Sequence, residues 1–369
     1  MRNKLIFDTN RGLQELDEMT IIHCLGSGLV GSFVIKKLSE ENIEINVVDI
    51  EENQEFENLD SVNVHLIDAL EYCKNTSSEN EIFVNMLPGS LGFKATEILI
   101  SRGKCVVDLS FSEVTPDSYY EKAIQSGAKV LWDVGIAPGF SNMLVAYASR
   151  FGEGISSVEI RVGGNPTEKD EKWSYMAPFS PKDVIAEYTR PARIIESGKL
   201  VTKPALTDIH KIIVSQVGFM EAFLTDGLRS LLETISADKM AEYTVRWPGH
   251  IQRFIDEREA NTLDYKQLLN DWKFVQSRNE FTWMEVKVDC NNGEKLIWTI
   301  FDKGRDGNSS MARTTGLVTA SCVKQWINDP DFIQIGVHPP ESLPNYAIAN
   351  VAQTLKDEGV DIDGPAIIL

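Results

Sequence analysis

The stretch TIIHCLGSGLVGSFVIKKL (Thr20–Leu38) decides the fold. A short apolar run leads into GSGLVG (Gly26–Gly31), which fits G-x-G-x-x-G, and an amphipathic helical pattern follows at once. Glycine triplets are common, so the pattern alone says little. In the order strand, turn, helix it reads as the first turn of a dinucleotide-binding βαβ unit. Gly26 permits the tight turn, Gly28 lets the backbone approach a pyrophosphate, and Gly31 lets the helix close on the strand. Ser27, Leu29 and Val30 complete the turn and are expected at the cofactor with it. The next apolar run, IEINVVDI (Ile43–Ile50), ends in Asp49, 21 residues beyond Gly28. That is the spacing at which an acid meets the adenosine ribose.

Further runs extend the same architecture: VNVHLID (Val62–Asp68), EIFVNMLP (Glu81–Pro88), KCVVDLS (Lys104–Ser110) and AKVLWDVG (Ala128–Gly135). LGFKATEILISRG between two of them is an amphipathic helix with Gly103 as its C-terminal stop. Apolar strands separated by helices predict an α/β fold with a doubly wound parallel (Rossmann) sheet over residues 20–142, after an extension at 1–19. The pattern changes after the helix SNMLVAYASRFG. SSVEIRVGG, PARIIESGKLVTKPA and FTWMEVKVDCNNGEKLIWTIFD alternate in the manner of antiparallel strands, the last around an Asn292-Gly293 hairpin turn. EAFLTDGLRSLLETI between them reads as helix. These features predict a second, mixed α+β substrate and oligomerisation domain at 143–310. Residues 311–369 read as a helix returning to the first domain and a Pro-rich tail. The hairpin offers a long edge on which a homo-oligomer, a dimer or larger, is expected.

The segment after Asp49 bears on the cofactor. DIEENQEFENLD contains no lysine or arginine. A 2′-phosphate at ~4 Å from one carboxylate would be repelled by ~1 kcal/mol in water and ~4 kcal/mol near a protein surface. NAD is therefore expected rather than NADP. Leu87 and Pro88, in NMLPG at the end of the fourth run, belong where loops of this fold pass the cofactor. Asp68 ends the third run and either reaches the adenosine or caps the helix ALEYCKN.

Totals narrow the class. A net charge of −19 repels nucleic acid and anionic lipid, so neither is an expected partner. Five cysteines without C-x-x-C and five histidines without H-x-x-x-H point to neither a disulfide framework nor a metal site, and fit a reducing cytoplasmic setting. No apolar run approaches the ~18 residues of a membrane span, and the polar start lacks a signal-peptide core.

LWDVGIAPGFSN (Leu131–Asn142) aims a backbone-rich turn and the Asp133 carboxylate at the crevice, with Ser141 as a helix cap. Here the chain resembles the saccharopine dehydrogenase and lysine 6-dehydrogenase superfamily, whose members carry a glycine-rich first turn and this D/E-x-G-x-x-P-G segment. EYTRPARI, MEAFLTDGLRSLLET, YTVRWPGH and ARTTG look like further blocks of lysine 6-dehydrogenases, so the resemblance spans roughly Thr20–Trp326. Trp247 stands where a tyrosine is usual, and Tyr243 lies one position from the family's aromatic. The resemblance implies NAD-dependent oxidation of the L-lysine side-chain amine, giving an imine that cyclises. Saccharopine dehydrogenase is the alternative within the class, and a non-catalytic NAD sensor the alternative outside it.

Such chemistry needs a carboxylate anchor and a proton acceptor. Arg246 suits the anchor because its planar fork pairs carboxylates bidentately, although a structural arginine is the rival reading. Thr244 shares its strand face and can meet the same ligand. Asp133 is the candidate proton acceptor, or a strand-end cap, and Asp108 a second acid at the substrate. His250 reads as a satisfied core histidine before a proton shuttle. Arg190 either links the domains or aids the carboxylate.

Overall fold

In the computed structural model the described residues are 20–41, 43–76, 81–177 and 180–368. The expected extension at 1–19 lies outside them. The chain opens with β1 (Ile21–Leu25), α1 (Leu29–Ser39), β2 (Ile45–Asp49), β3 (Val62–Leu66), α2 (Ala69–Asn75), β4 (Glu81–Asn85), α3 (Gly89–Ser101), β5 (Cys105–Asp108), α4 (Tyr120–Ser126), β6 (Lys129–Trp132) and α5 (Phe140–Phe151). Then follow β7 (Ile155–Pro166), α6 (Pro181–Glu187), β8 (Ala192–Glu196), β9 (Lys199–Lys203), β10 (His210–Val214), β11 (Gly218–Thr225), α7 (Leu231–Thr234), β12 (Lys239–Arg246), α8 (His250–Glu259), α9 (Tyr265–Asp271), β13 (Glu280–Cys290) and β14 (Lys295–Lys303). The chain ends with α10 (Ser310–Asn328), β15 (Gly336–His338), α11 (Asn345–Asp357) and β16 (Asp361–Asp363).

Among the described residues the first sheet has the order β15-β6-β5-β4-β1-β2-β3, with every pairing parallel. The order reverses between β1 and β4, and that switch point opens a crevice at the strands' C-terminal ends. Both faces of this sheet are covered. Phe33, Val34 and Leu38 of α1 and Leu317 and Val318 of α10 join one core, while Cys73, Ala95, Leu99 and Ala123 of α2–α4 build the other. The doubly wound parallel architecture and the returning helix are therefore as the sequence indicates. α10 lies on α1 closely enough that a Cβ at Gly316 would stand 2.5 Å from the Phe33 ring.

The second sheet runs β10-β11-β12-β7-β13-β14-β16, with the β8–β9 hairpin joined to β12. It is mixed: β7 with β13, β13 with β14 and β8 with β9 pair antiparallel, as their alternation indicates, while β12 lies parallel to β7. The pattern misplaces EAFLTDGLRSLLETI, which is β11, a turn and the four-residue α7. Ala222, Phe223 and Leu224 are buried consecutively, so the strand lacks the alternation that marks one open face. The final stretch is no tail, since β15 extends the first sheet and β16 the second. β16 covers β14 at Thr299–Phe301, closing part of the edge on which an oligomer was expected. Gly139, rather than Ser141, holds the cap position of α5. Among the described residues no helix is long and apolar enough to cross a membrane, and no group of His, Cys, Asp or Glu is placed to hold a metal ion.

Candidate functional site

One cavity of about 630 Å³ runs from the glycine turn to the second sheet. Its nucleotide end is lined by Gly26, Ser27, Gly28, Leu29, Val30 and Gly31, then Asp49, and Leu87 and Pro88. Gly26 is left-handed at φ +91°, and a Cβ on Gly31 would sit 2.4 Å from the Gly26 carbonyl oxygen. The turn can thus hold its shape only with glycine at both positions. The N-terminal turn of α1 carries no acid and leaves backbone N–H groups facing the crevice, the usual cradle for a pyrophosphate. Asp49 Oδ2 accepts from the Ser27 hydroxyl and N–H, both at 2.7 Å, and Oδ1 from Ile50 N–H at 2.7 Å and Glu51 N–H at 3.2 Å. Burial opposes its charge, but these donors outweigh it and hold Asp49 below the ordinary carboxylate range. A ribose hydroxyl can exchange for the Ser27 hydroxyl on that ionised oxygen. The residues present therefore fit an adenine dinucleotide.

Two acids expected at the site lie outside the cavity lining. Asp68 caps α2, accepting from Glu71 N–H at 3.0 Å. Asp108 is buried, taking the Thr96 hydroxyl at 2.5 Å and Ser110 N–H at 2.7 Å. Burial pushes it up to about 6, against those hydrogen bonds. Its side chain holds β5 to α3 instead of facing a substrate.

Asp133 does line the cavity, with a partner the sequence did not reveal. Arg229 Nε donates to Oδ2 at 2.7 Å and Nη2 to Oδ1 at 3.1 Å, and both side chains are almost fully buried. Arg229 Nη1 also donates to the Ser112 carbonyl at 2.6 Å, and the guanidinium lies 4.7 Å from the Phe111 ring centroid. Asp133 and Arg229 both adopt left-handed backbone conformations, at φ +56° and +54°. Two such outliers meeting in one ion pair are a constraint that the surrounding structure maintains. Burial pushes Asp133 above the ordinary carboxylate range while Arg229 opposes the shift.

On β12, Glu242, Thr244 and Arg246 share one face toward the cavity, while Tyr243 and Val245 enter the core behind. Arg246 is 3% exposed and engaged within the protein. Its Nε donates to Tyr188 Oη at 2.8 Å, Nη1 to the Val245 carbonyl at 3.0 Å, and Nη2 to Tyr175 Oη at 3.3 Å, with Glu187 at 3.4 Å. The guanidinium lies 4.3 Å from the Tyr175 ring centroid. His250 completes the group. Its Nδ1 lies 2.7 Å from the Trp173 carbonyl, which can only accept, so Nδ1 carries the proton and Nε2 accepts from Tyr188 Oη at 2.8 Å. Burial, chiefly, pushes His250 down to about 3. The arginine, tryptophan, turn and histidine of TVRWPGH thus form one aromatic-walled network. Arg246 supports the cavity wall, and His250 is a satisfied core histidine. Thr244 bonds the Thr225 hydroxyl at 3.1 Å.

Glu242 differs from these. It is 5% exposed, it lines the cavity, and its Oε2 has no hydrogen-bond partner. Burial pushes it up to about 8, with Glu187, Asp226 and Asp133 adding to the rise and Arg229 opposing it. Its carboxylate occupies the space left by Gly227, where a Cβ would stand 1.9 Å from Oε2. Period-two spacing from Arg246 and Thr244 was the signal for Glu242; nothing in the sequence marked Gly227.

The saccharopine dehydrogenase C-terminal domain family matches residues 135–360. The chain belongs to that family. Apo saccharopine dehydrogenase (L-Glu forming) from Saccharomyces cerevisiae superposes with a TM-score of 0.73 at 14% identity, over 94% of this chain and 100% of that one. Homospermidine synthase from Legionella pneumophila, solved in complex with NAD, gives 0.64 at 13% identity, over 94% and 91%. At these identities the likeness is one of fold, and it extends over both sheets.

The ion pair yields a prediction. Arg229→Met leaves Asp133 buried and unpaired, which should cost ~3–5 kcal/mol in denaturant unfolding. Adding Asp133→Asn should recover much of that loss. A single variant within ~0.5 kcal/mol of the parent would show that the pair does not hold the two sheets.

Proposed function

We propose that the protein is an NAD-dependent dehydrogenase that oxidises the side-chain amine of L-lysine, with Glu242 as the group that binds the amine and takes its proton. The observation that carries this reading is the buried Glu242 carboxylate, unpartnered at Oε2, in the cavity that the glycine turn also lines. When bound, the nicotinamide supplies the hydride acceptor. An ammonium cannot release hydride from its carbon, so a base must first remove a proton. A carboxylate with its pKa near 8 is matched to that task at mildly alkaline pH, and Asp133, held on both oxygens by Arg229, is less available. Thr244 and Thr225 offer hydroxyls beside it, and the Arg246 network keeps the wall rigid and dry.

Asp49 and Glu51 at the nucleotide end, with no lysine or arginine in that part of the lining, support NAD over NADP. The balance of charge favours lysine over saccharopine, which carries additional carboxylates. At the substrate end Asp133 is matched to Arg229, Asp226 to Arg193 and Glu187 to Arg246, which leaves Asp183 and Glu242 facing Arg190. A substrate richer in amines than in carboxylates suits such walls.

The direct test is reduction of NAD by purified protein with L-lysine and, separately, with saccharopine. Reduction with saccharopine alone would overturn the lysine assignment. Glu242→Gln should lower kcat by ~10²–10⁴ while leaving NAD affinity intact. In the parent protein kcat/KM should rise through about pH 8, as Glu242 loses its proton. The variant should lack that limb and respond only to the amine itself, near ~10.4.

Stability gives a second check with a definite sign. Glu242 has a folded pKa of about 8 against an ordinary 4.5, so the folded state holds a proton that the unfolded chain releases between those values. Its contribution therefore falls as pH rises through that window. The Tm advantage of Glu242→Gln over the parent should be larger at pH 9 than at pH 5. Gly227→Ala should push the carboxylate out of its recess and lower kcat, with a smaller effect on Tm.

A further inference from the structure

The cavity wall contains two guanidiniums, and they are differently placed. Arg246 is surrounded by Tyr188, Tyr175, Glu187 and the Val245 carbonyl. Arg190 follows α6 and lines the same cavity, and among the described residues no carboxylate lies within ion-pair distance of it. Other arginines near the substrate end are matched: Arg193 forks onto Asp226 at 2.9 and 3.0 Å, and Arg229 onto Asp133. Arg190 instead lies 5.7 Å from the ring centroid of Phe111, which also lines the cavity and carries Arg229 at 4.7 Å. Phe111 belongs to the first sheet's loops and Arg190 to the second unit, so this contact crosses the cleft. A ring contact uses none of the guanidinium's hydrogen bonds, so its N–H groups remain for a ligand.

We propose that Arg190, not Arg246, is the residue that binds the substrate's α-carboxylate and thereby selects an amino acid over a simple diamine. The assignment rests on the dehydrogenase reading above only for the name of the substrate. Arg246 is then a positioning residue that holds Tyr175, Tyr188 and Glu187 in the wall. With Arg190 on the carboxylate and Glu242 on the reacting amine, the two poles of the ligand meet a cation and a carboxylate that have no ion-pair partner among the described residues.

The test compares L-lysine with cadaverine, which is lysine without the carboxylate, by calorimetric titration of the protein loaded with reduced NAD, which cannot accept a hydride. The parent should prefer lysine. Arg190→Gln should weaken lysine binding roughly ten- to a hundredfold, the range for loss of a charged hydrogen bond, and collapse that preference. Arg190→Lys, which keeps the charge without the fork, should recover part of it. Unchanged NAD affinity in both variants confirms that the fold is intact. A parent that binds both ligands equally, or an Arg190→Gln that weakens both alike, overturns the assignment.

NAD reduction by the same proteins, assayed separately with oxidised NAD, distinguishes the two readings. Lysine held through Arg190 but never oxidised would keep this assignment and overturn the dehydrogenase. Lysine oxidised with a KM that Arg190→Gln leaves unchanged would do the reverse.

Discussion

The buried pair between Asp133 and Arg229 is the constraint around which the cleft is organised. Asp133 follows β6 of the first sheet, and Arg229 lies in the turn that ends β11 of the second. Neither charge reaches water, so each is stable only with the other in place. Both residues hold left-handed backbones, so the pair also fixes the direction in which each chain segment leaves its sheet. After Asp133 the chain turns through Gly135–Gly139 along the cavity and into α5. After Arg229 it turns into α7, where the Ser230 and Thr234 side chains join Asn142 of α5 and the buried Glu341. One ion pair thus places the crevice end of the first sheet opposite the open face of β12.

The sequence made the nucleotide end readable because its constraints are local. A glycine turn and an acid 21 residues on depend on backbone conformation and on the length of one βαβ unit, and Gly26–Gly31 and Asp49 lie together as their spacing implies. The substrate end depends on partners far apart in the chain. Asp133 meets Arg229 across 96 residues, and Arg246 meets Tyr175 across 71. Nothing within a window around either arginine distinguishes a free fork from an occupied one. β11 shows the related limit for secondary structure. Buried on both faces, it presents Ala222, Phe223 and Leu224 as a continuous apolar run that either helix or strand accommodates. Glu242 was within reach of strand periodicity, since it precedes Thr244 by two. Its importance follows from the recess at Gly227, which only the folded chain reveals.

The TVRWPGH network has a role suited to what it lacks. With Nδ1 of His250 donating to a carbonyl and Nε2 accepting from Tyr188, the imidazole is held neutral in one tautomer. Tyr188 can then accept from Arg246 Nε, and the three groups are mutually satisfied at 2.7–2.8 Å. Trp272 and Phe254 close around them. A cation so enclosed contributes a fixed field and a fixed wall, and its side chain requires no reorganisation when a ligand enters.

A different set of charges acts on Glu242. Its raised pKa comes first from burial, Glu187, Asp226 and Asp133 add to it, and Arg229 opposes it. Asp226 is paired to Arg193, Glu187 leans on Arg246, and Asp133 is locked to Arg229. The ion pairs that position the walls are therefore the same charges that set the proton affinity of the candidate base. Loosening the cleft by breaking one pair would move two quantities together: the alignment of the two sheets and the pH at which Glu242 gives up its proton. In a chain carrying −19, three of the acids clustered at this end are each matched by one arginine, Asp133 by Arg229, Asp226 by Arg193 and Glu187 by Arg246. Electrostatic tuning and structural closure in this cleft are thus one design, with Glu242 as its deeply buried member that no cation among the described residues holds.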